Sequence, residues 1–255
     1  MDAKVQLFEM TRPEVEAALA AGFDTAVATF GATEQHGRHL PLGTDAIWGE
    51  ALGLRISHAL GNALQAPGVR IGRSEHHMDF PGSLTYSEAT FNGIVRDICH
   101  SLAHHGFKRI VLIPTHGGNF RPLGAAAEVV RPQLPEVEII AYSDLSGFMA
   151  AIFTVAERFG FSRGHTGGHA GENETSMMLA LRPDLVDLAH AEAGYTDDPM
   201  NVADFIMRDG FKSVTPNGVL GNPQGASAEI GKAYLQALTD LFVAFVHGQE
   251  ISRPQ

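Results

Sequence analysis

Three short stretches of this 255-residue chain concentrate imidazoles and carboxylates. The first is Gly31-Ala-Thr-Glu34-Gln-His36-Gly-Arg-His39-Leu-Pro-Leu-Gly-Thr-Asp45. In extended backbone, residues two apart project to the same side, so Glu34 and His36 can face one point. The Gly- and Pro-containing loop that follows can return Asp45 to it. Two carboxylates and an imidazole suit a divalent transition metal such as Zn²⁺, Mn²⁺ or Fe²⁺. The competing reading is that Asp45 caps the next helix, Glu34 is solvated and His36 bonds a loop carbonyl. The second stretch is Thr115-His116-Gly-Gly-Asn119. Its glycines permit close backbone approach to a bound group, and neither phosphate-cradling glycine pattern occurs there, so His116 reads as a metal ligand. A histidine in a metal-free glycine turn is the alternative. The third is Gly164-His165-Thr-Gly-Gly-His169-Ala-Gly-Glu172-Asn-Glu174-Thr-Ser176, which runs into the apolar segment MMLAL. Such a loop brings two imidazoles and two carboxylates to a helix start, where the acids could equally serve only the helix dipole while both histidines stay exposed.

These stretches need elements to hold them. Asp24–Gly31 is a short apolar run bounded by Gly, as expected of a strand buried on both faces. Asp45–Leu60 has apolar residues at helical spacing, with Thr44 or Asp45 as its cap. Ala66–Ile71 predicts a second strand and Ser87–His105 an amphipathic helix closed by Gly106. Arg109–Pro114 is the clearest strand. A helix to about Val130, a strand over Glu138–Tyr142 and a helix over Ser146–Arg158 follow. Strands alternating with helices predict an α/β fold: a three-layer α/β/α sandwich around a mainly parallel central sheet. Ligand sites in such sheets lie beyond the carboxyl ends of strands, where the first two histidine-bearing turns fall. The last third reads as a Gly/His loop at 164–173, a short helix to about Leu181, a loop region to about Gln224, and a helix from Ala226 to about Val246. The apolar stripe of that last helix is expected to pack on the sheet.

Composition narrows the function classes. With 44% hydrophobic and 18% charged residues, 28 Gly and 13 Pro, the chain has globular composition and enough length for a substantial core. A formal charge of -11 disfavours nucleic acid as a partner. No apolar run is long enough to span a bilayer, so no membrane role is expected. The single cysteine, Cys99, forms no internal disulfide, and the opening residues do not read as a signal peptide; a cytoplasmic location is the expectation. Thirteen histidines are many for so weakly charged a chain and point to metal or proton chemistry.

Taken together in their order, G-A-T-E-Q-H-G-x-H-L-P-L-G-T-D, T-H-G-G-N and H-A-G-x-x-E-T-S make the chain resemble the creatininase (creatinine amidohydrolase) family. Phe80-Pro-Gly-Ser-Leu-Thr-Tyr and Gly218-Val-Leu-Gly-Asn-Pro-Gln-Gly-Ala-Ser extend the resemblance over most of residues 25–235. The resemblance implies one hydrolase domain over residues 1–255, two divalent metal ions per subunit (Zn, Mn or Fe), and hydrolysis of a C–N bond in a small polar amide, formamide or cyclic amide by metal-activated hydroxide. It also implies a small-molecule substrate and a homo-oligomer, often a hexamer in the family, with a subunit contact near residues 185–225. Carried over by position, Glu34 and His116 would hold one metal, His36 the other, and Asp45 both. Creatininase has a Glu two residues after the turn histidine, where this chain has Gly118; Glu174 is expected to replace it as fifth ligand. His169 matches the catalytic histidine, with Glu172 as its assistant or orienter. His165, His39, Glu75, His76 and His77 are weaker candidates for the pocket.

The departures bear on substrate. Creatininase encloses its ring substrate with tryptophans, whereas this chain has one, Trp48, and His165 stands where such a Trp would be. That argues against creatininase activity itself. Family members also include formamide hydrolases and a peptidase that trims a modified peptide precursor. His165, Glu172 and His76 suggest a polar pocket. A metal-dependent lactonase or isomerase, and a non-catalytic metal-binding sensor, are the alternative readings.

Overall fold

The computed structural model describes residues 4–248. Thr11 and Glu14 open the first helix: the Glu14 carboxylate accepts from the Thr11 N–H at 2.6 Å, and Pro13 sits in the first turn. That helix, α1 (Arg12–Ala20), is not assigned by the periodicity reading, although T-x-x-E with Pro was the signal for it. The chain continues through β1 (Thr25–Phe30), α2 (Thr44–Leu60), β2 (Ala63–Gln65), α3 (Glu88–His104), β3 (Arg109–Pro114), α4 (Phe120–Val130) and β4 (Glu138–Ala141). Then come α5 (Leu145–Arg158), α6 (Arg163–Thr166), α7 (Glu172–Leu181), α8 (Ala203–Asp209) and α9 (Ala228–Val246).

The strands pair in parallel in the order β2-β1-β3-β4. Alternate residues supply the two faces, as the two-residue strand period requires. Val27, Val111 and Ile113 pack with Trp48 and Leu52 of α2, Phe148 of α5 and Leu238 of α9. Ala26, Phe30, Ile110 and Leu112 face the other way, against Phe91 and Cys99 of α3 and Leu123 of α4. This is the expected α/β/α layering. The stripe of α9 is spent on it: Ile230, Tyr234, Leu235, Leu238, Leu241 and Phe242 are all buried. Among the described residues, no helix is long and apolar enough to cross a membrane.

Three sequence readings need correction. The second strand occupies Ala63–Gln65, not Ala66–Ile71. Ala66 N–H still donates to Val27 O at 2.8 Å, but Pro67 has no N–H to continue the ladder, and the chain rejoins β1 only at the isolated Phe30–Val69 bridge. Helix α2 is preceded by Gly43 at its cap; Thr44 and Asp45 lie inside the first turn. The loop region to Gln224 contains α8, whose seven residues are too few for a periodicity to show.

The feature that matters for function is the register. Phe30 pairs with Pro114, so β1 and β3 end side by side and the loops carrying Glu34, His36 and His116 leave the same sheet edge. Leu238, fully buried among both neighbouring helices and the sheet, reports on this frame. Leu238→Ala is expected to lower unfolding free energy by about 2–5 kcal/mol in urea denaturation.

Candidate metal centre

Two close approaches bring the loops together. A Cβ on Gly31 would stand 2.8 Å from the Ala46 backbone, so only glycine lets the first turn of α2 close on the end of β1 and deliver Asp45. Asn119, at the start of α4, donates to Phe30 O and Gly31 O at 2.9 Å each and accepts from Arg73 N–H at 2.9 Å. This clamps the His116 turn against β1. The last component arrives from α7. Ala170 has φ +51, a left-handed conformation uncommon for a residue with a side chain, and its N–H donates to Glu174 Oε2 at 2.6 Å.

Glu34, His36, Asp45, His116 and Glu174 then meet, all buried. His36 Nε2 is 3.2 Å from Asp45 Oδ1 and 3.6 Å from Glu174 Oε2. His116 Nδ1 is 3.1 Å from Glu34 Oε1 and 3.3 Å from Asp45 Oδ2. Asp45 therefore turns one oxygen to each imidazole. Glu34, Asp45 and His116 form one compact ligand set and His36, Asp45 and Glu174 another; Glu34, His36 and His169 form a third.

The other ring nitrogens show what these sets require. His36 Nδ1 is 3.0 Å from Glu34 O and His116 Nε2 is 3.0 Å from Arg73 O. A carbonyl only accepts, so each of these nitrogens carries the ring proton and the opposite nitrogen presents its lone pair to the carboxylates. His169 is arranged likewise, with Nε2–H on Gln35 O at 2.6 Å and Nδ1 3.7 Å from Glu34 Oε1. Lone pairs thus converge on negative oxygens. Both oxygens of Glu34 and Oδ2 of Asp45 have no well-directed hydrogen bond, and no Lys or Arg pairs with the three acids among the described residues. Such a cluster is stable only around positive charge. Separations of 3.1–3.7 Å are also the edges of a coordination shell, since ligands about 2.0–2.2 Å from one tetrahedral ion lie roughly 3.3–3.6 Å apart. Imidazoles anchored through a backbone carbonyl and aimed with carboxylates at one point fit a pair of divalent cations.

A proton competes with a cation for the inner nitrogens, and titration of these groups reflects the same demand for positive charge. Burial opposes charge on His36 and His116, yet Asp45, Glu174 and Glu34 push His36 up to about 10, and Glu34 and Asp45 hold His116 well above its ordinary range. Burial raises Glu174 to about 7, while the two imidazoles draw Asp45 downward despite its burial. Burial, together with the charge of nearby imidazoles, holds His77 and His169 well below the usual histidine value.

Other sequence candidates lie in different places. Glu172 does not reach the cluster. Residues two apart on an α-helix point about 200° apart, so Glu172 and Glu174 cannot face the same way. Glu172 instead accepts from Ser176 Oγ and Tyr234 Oη, each at 2.5 Å, and ties α7 to α9. His165 stacks on Phe161 and holds Gln224 O at 2.7 Å. His39 bonds Thr175 Oγ1, and Glu75 is exposed and paired with Arg73. His76 stacks on His116 at 12°, and His77 Nε2 stands 3.2 Å from Glu34 Oε1. Gly118 cannot carry a side chain here, since its Cβ would lie 2.1 Å from Arg73 O and 2.6 Å from His116 Nε2.

Two participants escape sequence reasoning. The Gln35 side-chain amide donates to Gly218 O at 3.0 Å and meets His77 Nδ1 at 3.1 Å, while the Gln35 backbone carbonyl accepts from His169 Nε2–H and orients it. Phe211 stacks on His77 at 4.1 Å and lies against His169 at 4.7 Å. The motif contained Gln35 between two candidate ligands, which was its only signal. Nothing marked Phe211. The cluster opens into a cavity of about 430 Å³ whose wall is mostly apolar, from Leu145, Met149, Ile206 and Met207 among others. The polar pocket expected from His165, Glu172 and His76 is not found: only His76 lines it.

Comparison with known proteins finds similarity over most of the chain. A family model described as creatininase, creatinine amidohydrolase, matches residues 8–246. Creatinine amidohydrolase of Pseudomonas putida is 31% identical over 92% of this chain and 94% of its own. A mycofactocin precursor peptide peptidase of Mycobacterium ulcerans (strain Agy99) is 28% identical over 87% of this chain and 84% of its own. A crystal structure of creatinine amidohydrolase superposes with a TM-score of 0.80 at 30% identity, covering 99% of both chains. Creatininase structures of manganese and zinc–zinc type, each at 28% identity, match with TM-scores of 0.80 and 0.79, covering 99% of this chain and 100% and 99% of theirs.

The assignment of Glu172 to the α7–α9 contact has a direct consequence. Tyr234→Phe leaves a buried carboxylate short of a donor and is expected to cost about 1–3 kcal/mol of stability in urea denaturation, with metal content unchanged by elemental analysis.

Proposed function

Because the chain belongs to the creatininase family, we propose that it is a binuclear metal-dependent amidohydrolase that cleaves the C–N bond of an amide, with the whole chain forming one catalytic domain. The observation that carries this reading is the convergence of carbonyl-anchored imidazoles on three buried carboxylates that have no lysine or arginine partner among the described residues, at the base of an open cavity. Glu34, Asp45 and His116 would hold one cation and His36, Asp45 and Glu174 the other, with Asp45 shared. Zinc and manganese forms of related creatininases support either metal here. A cation pair, when bound, supplies Lewis acidity toward the amide carbonyl and toward water.

The chain's own residues supply the rest. His169 is the proton carrier in this reading. Its Nε2–H is fixed on Gln35 O at 2.6 Å, which leaves Nδ1 to take the proton of attacking water and pass it to the departing nitrogen as C–O forms and C–N breaks. His77 and Gln35 hold the neighbourhood still: the Gln35 amide faces His77 Nδ1, so His77 presents Nε2–H towards Glu34 Oε1. Phe211 and the apolar wall exclude bulk water from the reacting bond. Trp48 takes no part, being buried and stacked on Phe148 in the core rather than lining the cavity. The enclosing tryptophan of a creatinine pocket is therefore missing, which favours a different amide.

The test is hydrolysis of a panel of formamides, cyclic amides and short peptides in ¹⁸O-water by protein supplied with Zn²⁺ or Mn²⁺. Solvent oxygen is expected in the new carboxylate. Asp45→Ala and Glu174→Ala are expected to lower turnover by at least about a hundredfold and to lose metal on desalting. Metal retained by both variants, or turnover without solvent oxygen, would overturn the reading.

A further inference from the structure

Arg121 lies in the first turn of α4, five residues after His116, and lines the same cavity as Glu34, His116 and His169. Among the described residues it is the only lysine or arginine on that wall. Arginines elsewhere in the protein are mostly engaged: Arg70 holds Glu50, Arg73 holds Glu75, Arg109 holds Glu138 and Arg182 holds Asp184. Arg121 is exposed and, among the described residues, has no hydrogen-bond, ion-pair or aromatic partner. Asp204, the acid that α8 contributes to the wall, is not within ion-pair distance of it. An unpaired guanidinium facing a catalytic cavity on a chain of net charge -11 is a local exception to the surrounding field.

Apart from Asp204, Ser143 and the histidines beside the cluster, the rest of the wall is apolar. Leu145 and Met149 come from α5, Ile206 and Met207 from α8, and Phe211 and Leu220 from the segments beyond it. The volume of about 430 Å³ falls in the range that holds a drug-sized ligand. Methionines suit a variable apolar group, because their unbranched chains repack.

We propose, resting on the hydrolase reading above, that the substrate is an amide with a sizeable apolar group and an anionic group, and that Arg121 is the specificity determinant that binds the anion. The planar fork of a guanidinium matches a carboxylate and a phosphate equally, so both are sources of that anion. The reacting carbonyl lies at the Glu34 and His116 end, the apolar group against the α5 and α8 walls, and the anion on Arg121.

Calorimetric titration of the purified protein with 4-phenylbutyrate, 3-phenylpropyl phosphate and 4-phenylbutan-1-ol tests this without turnover. At least one anion is expected to bind about tenfold or more tightly than the alcohol, and Arg121→Met is expected to abolish that advantage while leaving alcohol binding unchanged. The tighter anion identifies the source. Arg121 is exposed, so the variant is expected to fold, which circular dichroism checks. An advantage that survives Arg121→Met reports contact with other groups and overturns the proposal, as does equal binding of all three probes or binding of none. Expected probe binding in a protein that hydrolyses no amide would instead count against the hydrolase reading.

Discussion

Three buried carboxylates face two imidazoles, and no lysine or arginine among the described residues neutralises them. Glu34, Asp45 and Glu174 have no lysine or arginine partner among the described residues, and the ring protons that could help are turned outward to Glu34 O and Arg73 O. Much of the molecule follows from this constraint. Parallel β1 and β3 end level with each other, Gly31 lets α2 close over the junction, Asn119 clamps the His116 turn, and strained Ala170 fixes Glu174 from the far side. A fold that stores negative charge this way is arranged for cations.

The placement of Glu174 shows how such a centre tolerates sequence change. Gly118 stands where the resemblance to creatininase implies a carboxylate, and the space a side chain would need there is taken by Arg73 O and the stacked His76 ring. Glu174, in the first turn of α7, provides an oxygen against His36 and Asp45. The cavity wall beyond this centre is built from α5 and α8, whose residues differ in character from an enclosing aromatic cage.

Legibility followed the physics of each segment. The strand-end motif exposed Glu34, His36 and Asp45 because a two-residue period and a short return loop are local rules, and His116 because a glycine turn after a strong strand has few structural reasons to hold a histidine. Glu174 came through family resemblance alone. Glu172 was misplaced because helical phase separates it from Glu174, and its real partner, Tyr234, lies 62 residues away. The strand misplaced over Ala66–Ile71 reflects Pro67, whose missing N–H interrupts the ladder and was readable in the sequence. Phe211, α8 and the apolar wall depend on tertiary packing and left no local trace, so the pocket's character was read with the wrong polarity.

X-ray diffraction at the zinc absorption edge, from crystals grown with Zn²⁺, measures the central claim most directly. Two anomalous peaks are expected in each protomer, one among Glu34, Asp45 and His116 and one among His36, Asp45 and Glu174. A single peak, or strong zinc density only on surface histidines with the cluster unchanged, would contradict the account.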